Sequence, residues 1–266
     1  MNKENLKYIF LDDKKFWRMD LPNIVAMYRI KNEEKWIKKS LESVLDICSE
    51  AVILDDGSTD KTLEICQSFD KVVDISHQSN LPMDQVRDKN KLLKMVLKKN
   101  PEYILSIDGD EILAPNSKEI LLEELNILYP ENSVFQFQVL YIWDVPDKFR
   151  CDGFFQNVWR PRLYKIKNQP TDLCYENSIF PGNLHCNSIP DNTNEIDKPI
   201  NSNIKILHYG YYYKELRNRK YNWAESHNVT NSEQDINAYL ISGKGPRSGP
   251  NGMEFKKLPK DVAVEI

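Results

Sequence analysis

The chain has 266 residues, 41% hydrophobic and 29% charged, which describes a globular protein with core enough for one large α/β domain or two small ones. Its net charge of −4 speaks against a nucleic-acid binder, whose domains are basic. No apolar run approaches the roughly 20 residues of a spanning helix, and Met1 to Lys7 is too charged for a signal peptide, so the expected location is the cytoplasm, including the inner face of a membrane.

Residues 1–22 are polar with scattered aromatics and read as a lead-in that packs on the domain. From residue 23 a regular pattern begins. Ile24 to Tyr28 is a strand, and Asn32 is placed to cap the helix after it, with Glu33 and Glu34 in the first turn. Ile37, Leu41, Val44, Leu45 and Cys48 recur at helical spacing. Ala51 to Leu54 is a second strand that runs into Asp55-Asp56-Gly57-Ser58-Thr59-Asp60, with Ser58 or Asp60 placed to cap the helix carrying Leu63, Cys66 and Phe69. Val72 to Ile75 is a third strand. Asp84 caps a helix through Val86, Leu92, Leu93, Val96 and Leu97, which Asn100-Pro101 stops. Tyr103 to Ile107 is a fourth strand ending in Asp108, Asp110 and Glu111. Ser117 to Leu128 is a further helix, and Ser133 to Tyr141 alternates as a half-exposed strand does. Antiparallel strands and long loops are expected over 133–210, a charged helix from Arg217 to Leu240, a Gly-, Pro- and Ser-rich loop from Gly243 to Gly252, and a loose tail.

Strands alternating with helices at this interval predict a parallel sheet, whose ligands lie at the carboxyl ends of the strands. Arg29 and Lys31 follow the first strand, Asp55 and Asp56 the second, and Asp108 and Asp110 the fourth. All three groups fall on one edge. Hard oxygen ligands of this kind suit Mg²⁺ or Mn²⁺ together with substrate phosphates. The five cysteines lie far apart, fitting neither a disulfide framework nor a zinc site, and Cys48 and Cys66 read as core. The sequon at Asn228 is taken as chance, and His77 and His227 as surface residues.

Ile24 to Glu34, followed by Ala51 to Thr62 with its Asp-Asp-Gly-Ser-Thr-Asp run, resembles the nucleotide-binding half of family 2 glycosyltransferases, and Asp108-Gly109-Asp110 falls where that family has its Asp-x-Asp motif. The resemblance implies a GT-A fold: an α/β, Rossmann-like, mostly parallel sheet with helices on both faces, then an irregular antiparallel acceptor side and a C-terminal helix. Residues 1–22 are then the lead-in, 23–114 the nucleotide-sugar-binding half, 115–225 the acceptor-binding half of the same domain, and 226–266 a helical extension and tail. The implied activity is inverting transfer of a sugar from a nucleotide diphosphate sugar (a UDP-sugar above others) to a glycan or glycolipid acceptor, in cell-surface polysaccharide or glycoconjugate synthesis, with Mn²⁺ or Mg²⁺ as cofactor.

By that resemblance Asp56, with Asp55, binds the base; Glu33 sits near the nucleoside; Asp108 faces ribose or metal; Asp110 ligates the metal; and Arg29, Lys31 and Arg87 are candidates for the diphosphate. His208, ending the apolar run Ile204 to Leu207, is a candidate metal ligand, ahead of His185. Arg162, in Arg160-Pro161-Arg162-Leu163-Tyr164, is expected near acceptor or diphosphate, and Trp143, Trp159 and Tyr164 offer faces for a sugar. The resemblance gives Glu111 no role beyond capping or orienting its loop. Related enzymes carry a histidine-glutamate pair late in the chain; here Cys186 follows His185, which leaves the catalytic base open between Asp152 and Glu176. Two rivals stand beside this reading: a non-catalytic nucleotide-sugar binder, and a haloacid dehalogenase-type phosphatase using the Asp-x-Asp strand end.

Overall fold

The computed structural model describes residues 8–10, 16–18, 20–79, 81–127, 134–167, 169–178, 183, 185–193, 199–226 and 252–264. The lead-in holds a short antiparallel pair, β1 (Tyr8–Phe10) with β2 (Phe16–Arg18), and β2 lies beside the later helix α4 (Ser117–Ile127). The parallel unit follows: β3 (Ile24–Ile30), α1 (Ile37–Val44), β4 (Glu50–Asp55), α2 (Thr62–Gln67), β5 (Val72–His77), α3 (Gln85–Leu97) and β6 (Tyr103–Ile107). Strand β3 lies between β6 and β4, and β5 flanks β4, all parallel.

Alternation along β3 and β4 explains why this sheet is covered on both faces. Ile24, Ala26, Tyr28, Ile30, Ala51 and Ile53 pack with Ile37, Leu41 and Val44 of α1 and Leu121 of α4. Val25, Met27, Val52 and Leu54 pack with Leu92, Leu93 and Val96 of α3. Successive side chains point to opposite faces of a strand, so an unbroken apolar run needs two layers of helix.

The second half joins the same sheet. The strands are β7 (Glu111–Leu113), β8 (Val134–Trp143), β9 (Val145–Arg150), β10 (Val158–Lys165), β11 (Ile200–His208) and β12 (Phe255–Lys257). Strand β10 runs antiparallel between β6 and β8, and β11 pairs parallel with β8 and antiparallel with β7, which sets His208 opposite Glu111. Strand β8 is therefore central and mostly buried, not half-exposed; only Gln136 and Gln138 keep the expected partial exposure. Helix α5 spans Lys214–Ser226, and the remainder of the helix expected to Leu240, with His227, the sequon and most of the Gly-rich loop, lies outside the described residues.

Two local expectations are corrected. Asn32 does not cap a helix: its φ is +56°, its side-chain oxygen accepts from the Thr59 N–H, and α1 begins only at Ile37. The stretch after Gly252 is not a loose tail. Strand β12 pairs with β9, and Leu258 and Val262 are buried with Trp36 and Ile112. Asp84 does cap α3, accepting from the Arg87 N–H at 2.8 Å. All five cysteines are free.

Candidate active site

The sheet edge where β3, β4 and β6 end gathers most of the expected side chains in two adjoining clusters. The first lies between β3, β4 and α3. Asp56 is 6% exposed; Arg29 Nη2 donates to its Oδ2 at 2.7 Å and Gln78 Nε2 to its Oδ1 at 3.2 Å, while Lys31 stands 4.0 Å away. Arg29 is itself aimed by Asp88, which is fully buried and also accepts from Gln78 and Arg87. Arg87 therefore reaches Asp88 rather than standing free toward a ligand. Asp55 departs from its expected role at the base. It is fully buried, accepting from the Ser58 N–H and hydroxyl and from His77 Nδ1 at 2.6 Å, so it shapes the turn instead of meeting solvent. His77 is a surface residue, as expected, and its ring also bonds Asp55. Asp60 accepts from both the N–H and hydroxyl of Thr62 at the start of α2, whereas the Ser58 hydroxyl accepts from the Asn32 N–H.

The second cluster surrounds the turn after β6. Glu111 N–H donates to the Asp108 carbonyl, and Asp108 N–H donates back to Glu111 Oε2 at 3.1 Å, a closed local loop. Glu111 is 1% exposed and takes a direct bond from Arg162, which also reaches Asp108 Oδ2 at 3.5 Å. Arg162 sits where the β10–β8 register shifts, between Pro161 and Leu163, and such a bulge re-aims a side chain. Burial pushes the Glu111 carboxyl up to about 8 despite Arg162. Burial also acts to raise Asp108, but Arg162, Lys89, His208 and His185 outweigh it and hold that carboxyl below its usual range. Asp108 thus stays a carboxylate beside a group that tends to hold its proton.

Asp110 faces the other side of the turn, 8% exposed. His208 Nε2 lies 3.8 Å from its Oδ1, and Lys220 Nζ of α5 lies 3.5 Å from its Oδ2. Burial lowers the His208 pKa to about 4, against the pull of Asp110, so the ring is neutral at ordinary pH. Its Nδ1 accepts from the Gly210 N–H at 3.2 Å, and Tyr211 stacks on it. Glu33 packs against Gly109, and burial, then the charge of Asp110, push its carboxyl up to about 9.

Mn²⁺ or Mg²⁺ fits this cluster in kind. Two carboxylates and a neutral imidazole are suitable donors. Among the described residues no three His, Cys, Asp or Glu side chains are placed so as to enclose an ion already. Asp110 and His208 are the pair that converge. Gly210 is what lets them. A Cβ there would run into Asp110 Oδ2 and Lys220 Nζ and come within 2.6 Å of His208 Cε1. We expect Gly210→Ala to weaken metal-dependent nucleotide binding by about tenfold and to cost about 1–3 kcal/mol of stability through overpacking. Calorimetry and thermal melts measure the two, and unchanged binding would show that the glycine is dispensable.

The remaining expected residues scatter. Asp152 is fully buried in a pair with Arg150, whose Nε and Nη2 bond its two oxygens at 2.7 and 2.8 Å, and Oδ1 also accepts from the Glu254 N–H. A carboxylate held this way is not free to take a proton from a substrate, which corrects its candidacy as base. Glu176 is exposed, with Cys174 Sγ 3.3 Å from its Oε1. Trp143 and Tyr164 are core, 1% and 0% exposed; Trp159 is half-buried, with Lys205 over its ring. His185 is close enough to Asp108 for their charges to interact, and its pKa is lowered by burial and then by Lys89. Sequence reasoning missed Asp88, Lys220 and Gly210 and undervalued Glu111. Only Asp88 carried a signal: it stands one helical turn before Leu92 on the apolar stripe of α3.

Comparison with known proteins places the chain. The profile of Glycosyl transferase family 2 matches residues 29–180, more than half of the sequence. The chain belongs to glycosyltransferase family 2. This family 2 chain is 30% identical over 111 residues to the SPbeta prophage-derived glycosyltransferase SunS of Bacillus subtilis, covering 42% of this chain and 25% of SunS. It is 32% identical over 140 residues to an uncharacterized protein of Methanocaldococcus jannaschii, covering 51% of this chain and 59% of that one. The chain thus spans a quarter of SunS and under two thirds of the archaeal relative. Among solved structures, S. aureus TarS 1-349 aligns with a TM-score of 0.47 at 18% identity, over 73% of this chain and 63% of that one. Glucosyl-3-phosphoglycerate synthase of Mycobacterium tuberculosis, solved with Mn²⁺ and UDP-glucose, aligns with a TM-score of 0.34 at 18% identity, over 45% and 44%. Family membership, with the acidic motif in the turn after the fourth parallel strand β6, leaves no place for the phosphatase reading. Among the described residues no helix is long and apolar enough to cross a membrane.

Proposed function

We propose that the protein moves a sugar from a nucleotide diphosphate sugar, with uridine the favoured base, to an acceptor hydroxyl with inversion, in the synthesis of a surface polysaccharide or glycoconjugate. The observation that carries this reading is the meeting of Asp110, His208 and Lys220 at the sheet edge, with Asp108 two residues earlier in the same turn and the Arg29–Asp56 pair at the ends of the adjoining strands β3 and β4. A metal-and-diphosphate site adjoins a nucleoside site there. Residues 23–114 would supply the donor half and 115–225 the acceptor half.

In this mechanism Asp56, steadied by Arg29 and Gln78, accepts an N–H of the base. Asp110 and His208, with Asp108, would hold Mn²⁺ or Mg²⁺, which when bound would neutralise charge on the departing diphosphate. Arg162 holds the Asp108–Glu111 turn in shape. The acceptor oxygen attacks the anomeric carbon as the bond to the diphosphate breaks, and the electron pair leaves with the diphosphate. The hydroxyl proton passes to a carboxylate. With Asp152 engaged by Arg150, Glu176 is the candidate that remains from the sequence. One observation, the locking of Asp152, favours a second reading in which nucleotide sugars are bound but not transferred.

A thermal-shift screen of nucleotide sugars with Mn²⁺ tests the reading. A ligand at 100 times its dissociation constant adds about 2.7 kcal/mol of stability. The hit is then incubated with an acceptor panel, and the anomeric configuration of the product is read by NMR. Metal-dependent stabilisation and an inverted product are expected. Binding with neither hydrolysis nor transfer across the panel would favour the second reading, and no stabilisation by any nucleotide sugar would sink both.

A further inference from the structure

Helix α5 carries a cation into the acidic turn. Lys220 Nζ lies 3.5 Å from Asp110 Oδ2 and 4.6 Å above the Tyr211 ring, and Tyr211 stacks on His208. The side chain is 35% exposed, so the ammonium touches Asp110 while keeping one side toward the open edge. It occupies space that only a glycine at 210 permits. The helix itself is anchored independently. Arg217, one turn earlier, bonds the carbonyls of Tyr211 and Tyr212 and reaches Asp144 at 2.7 Å. Lys220 is therefore delivered by a fixed helix start, and its long, flexible stem can swing while the helix stays put.

An ammonium and a divalent cation held by the same carboxylate repel one another, so each weakens the other's hold on Asp110. An ammonium on Asp110 Oδ2 competes with any divalent cation that Asp110 ligates. We propose that Lys220 is an exchangeable cation of the donor site: its ammonium neutralises Asp110 before the metal arrives, and once the metal takes Asp110 it turns to a phosphate oxygen of the nucleoside diphosphate. The inference rests on the proposed nucleotide-diphosphate function and adds a residue to it. The swap keeps the buried carboxylate paired at every stage, which matters because an unpaired buried charge is costly. It also gives the leaving diphosphate a second positive contact besides the metal.

The exchange has a signature that a structural role lacks. Removing the ammonium should help the metal and harm the diphosphate. For Lys220→Ala, Mn²⁺ added alone, followed by the EPR signal of the free ion, is expected to bind about threefold to tenfold more tightly than to the wild type. UDP titrated calorimetrically at saturating Mn²⁺ is expected to bind roughly tenfold more weakly, the scale of one charge-assisted hydrogen bond. Lys220→Arg should keep most of the UDP affinity. A variant that is merely misfolded loses both affinities, and Lys220→Gln, which keeps the stem and a hydrogen-bonding end, repeats the test with less risk to packing. Weakened or unchanged Mn²⁺ binding, or unchanged UDP binding, in both neutral variants overturns the exchange. Wild-type protein that binds neither Mn²⁺ nor UDP overturns the functional reading first and this inference with it.

Discussion

Asp110→Ala is expected to lower the affinity for UDP in the presence of Mn²⁺ by about a hundredfold, on the scale of one lost charged ligand contact. What binding remains should no longer respond to Mn²⁺. The expectation comes from position. Asp110 faces both the neutral His208 ring and Lys220, whereas Asp108 is committed in part to Arg162. The substitution also relieves the crowding that raises Glu33, so the Glu33 carboxyl should ionise at lower pH in the variant. Folding should survive, because the turn is held by main-chain bonds that do not use the Asp110 side chain: Glu111 N–H to Asp108 and Tyr209 N–H to the Asp110 carbonyl. Calorimetry with and without Mn²⁺ decides the matter. Equal, metal-independent UDP binding by both proteins would refute the assignment of Asp110 as the metal's principal ligand.

The second large effect concerns stability, at a residue that the sequence offered for catalysis. Asp152→Ala is expected to cost about 3–5 kcal/mol, because it removes a two-oxygen carboxylate contact from the Arg150 guanidinium, which is fully buried against the rings of Trp143 and Phe155. For a chain of this size the melting temperature should fall by roughly 10 °C. Asp152→Asn, which keeps an acceptor for one guanidinium N–H, should lose less. A catalytic base gives the opposite pattern: Asp152→Asn would abolish transfer and leave the melt unchanged. Melting curves of the two variants beside a transfer assay separate the alternatives, and the opposite pattern would return Asp152 to the chemistry.

The first half of this fold was legible because its signals are local. The apolar runs at Ile24 and Ala51 end in charged residues within the same short segments, and Asp84 caps its helix through a neighbour three residues on. The acids at the sheet edge follow from strand direction alone. The second half resisted for the opposite reason. Glu111 reads as surplus charge until Arg162 is brought to it by a bulge in another strand, and Lys220 reads as a solvated helix charge until Gly210 opens the space beside Asp110. Asp152 looked available because nothing in Phe149-Arg150-Cys151-Asp152 says that the arginine two residues earlier turns back on it inside an aromatic box. Asn32 followed the spacing of a helix cap, yet the turn from Gly57 to Thr59 takes its side chain first.

Strand β11 has a consequence for how the molecule comes together. It reaches the sheet late in the sequence, lies between β7 and β8, and delivers His208 opposite Glu111. The aspartates of the turn are in place as soon as β6 pairs with β3, but their histidine arrives only when a long stretch of chain has closed on itself. Pairings of such sequence separation are slow. During folding the chain should therefore pass through a period in which the acids of the turn and the Arg29–Asp56 pair are in place but His208 is not. Metal added early should do little for the refolding rate and act mainly to hold β11 once docked. Pulse-labelling hydrogen exchange during refolding checks this: amides of β11 should gain protection after those of β3 and β4, and simultaneous protection would show that the two halves form together.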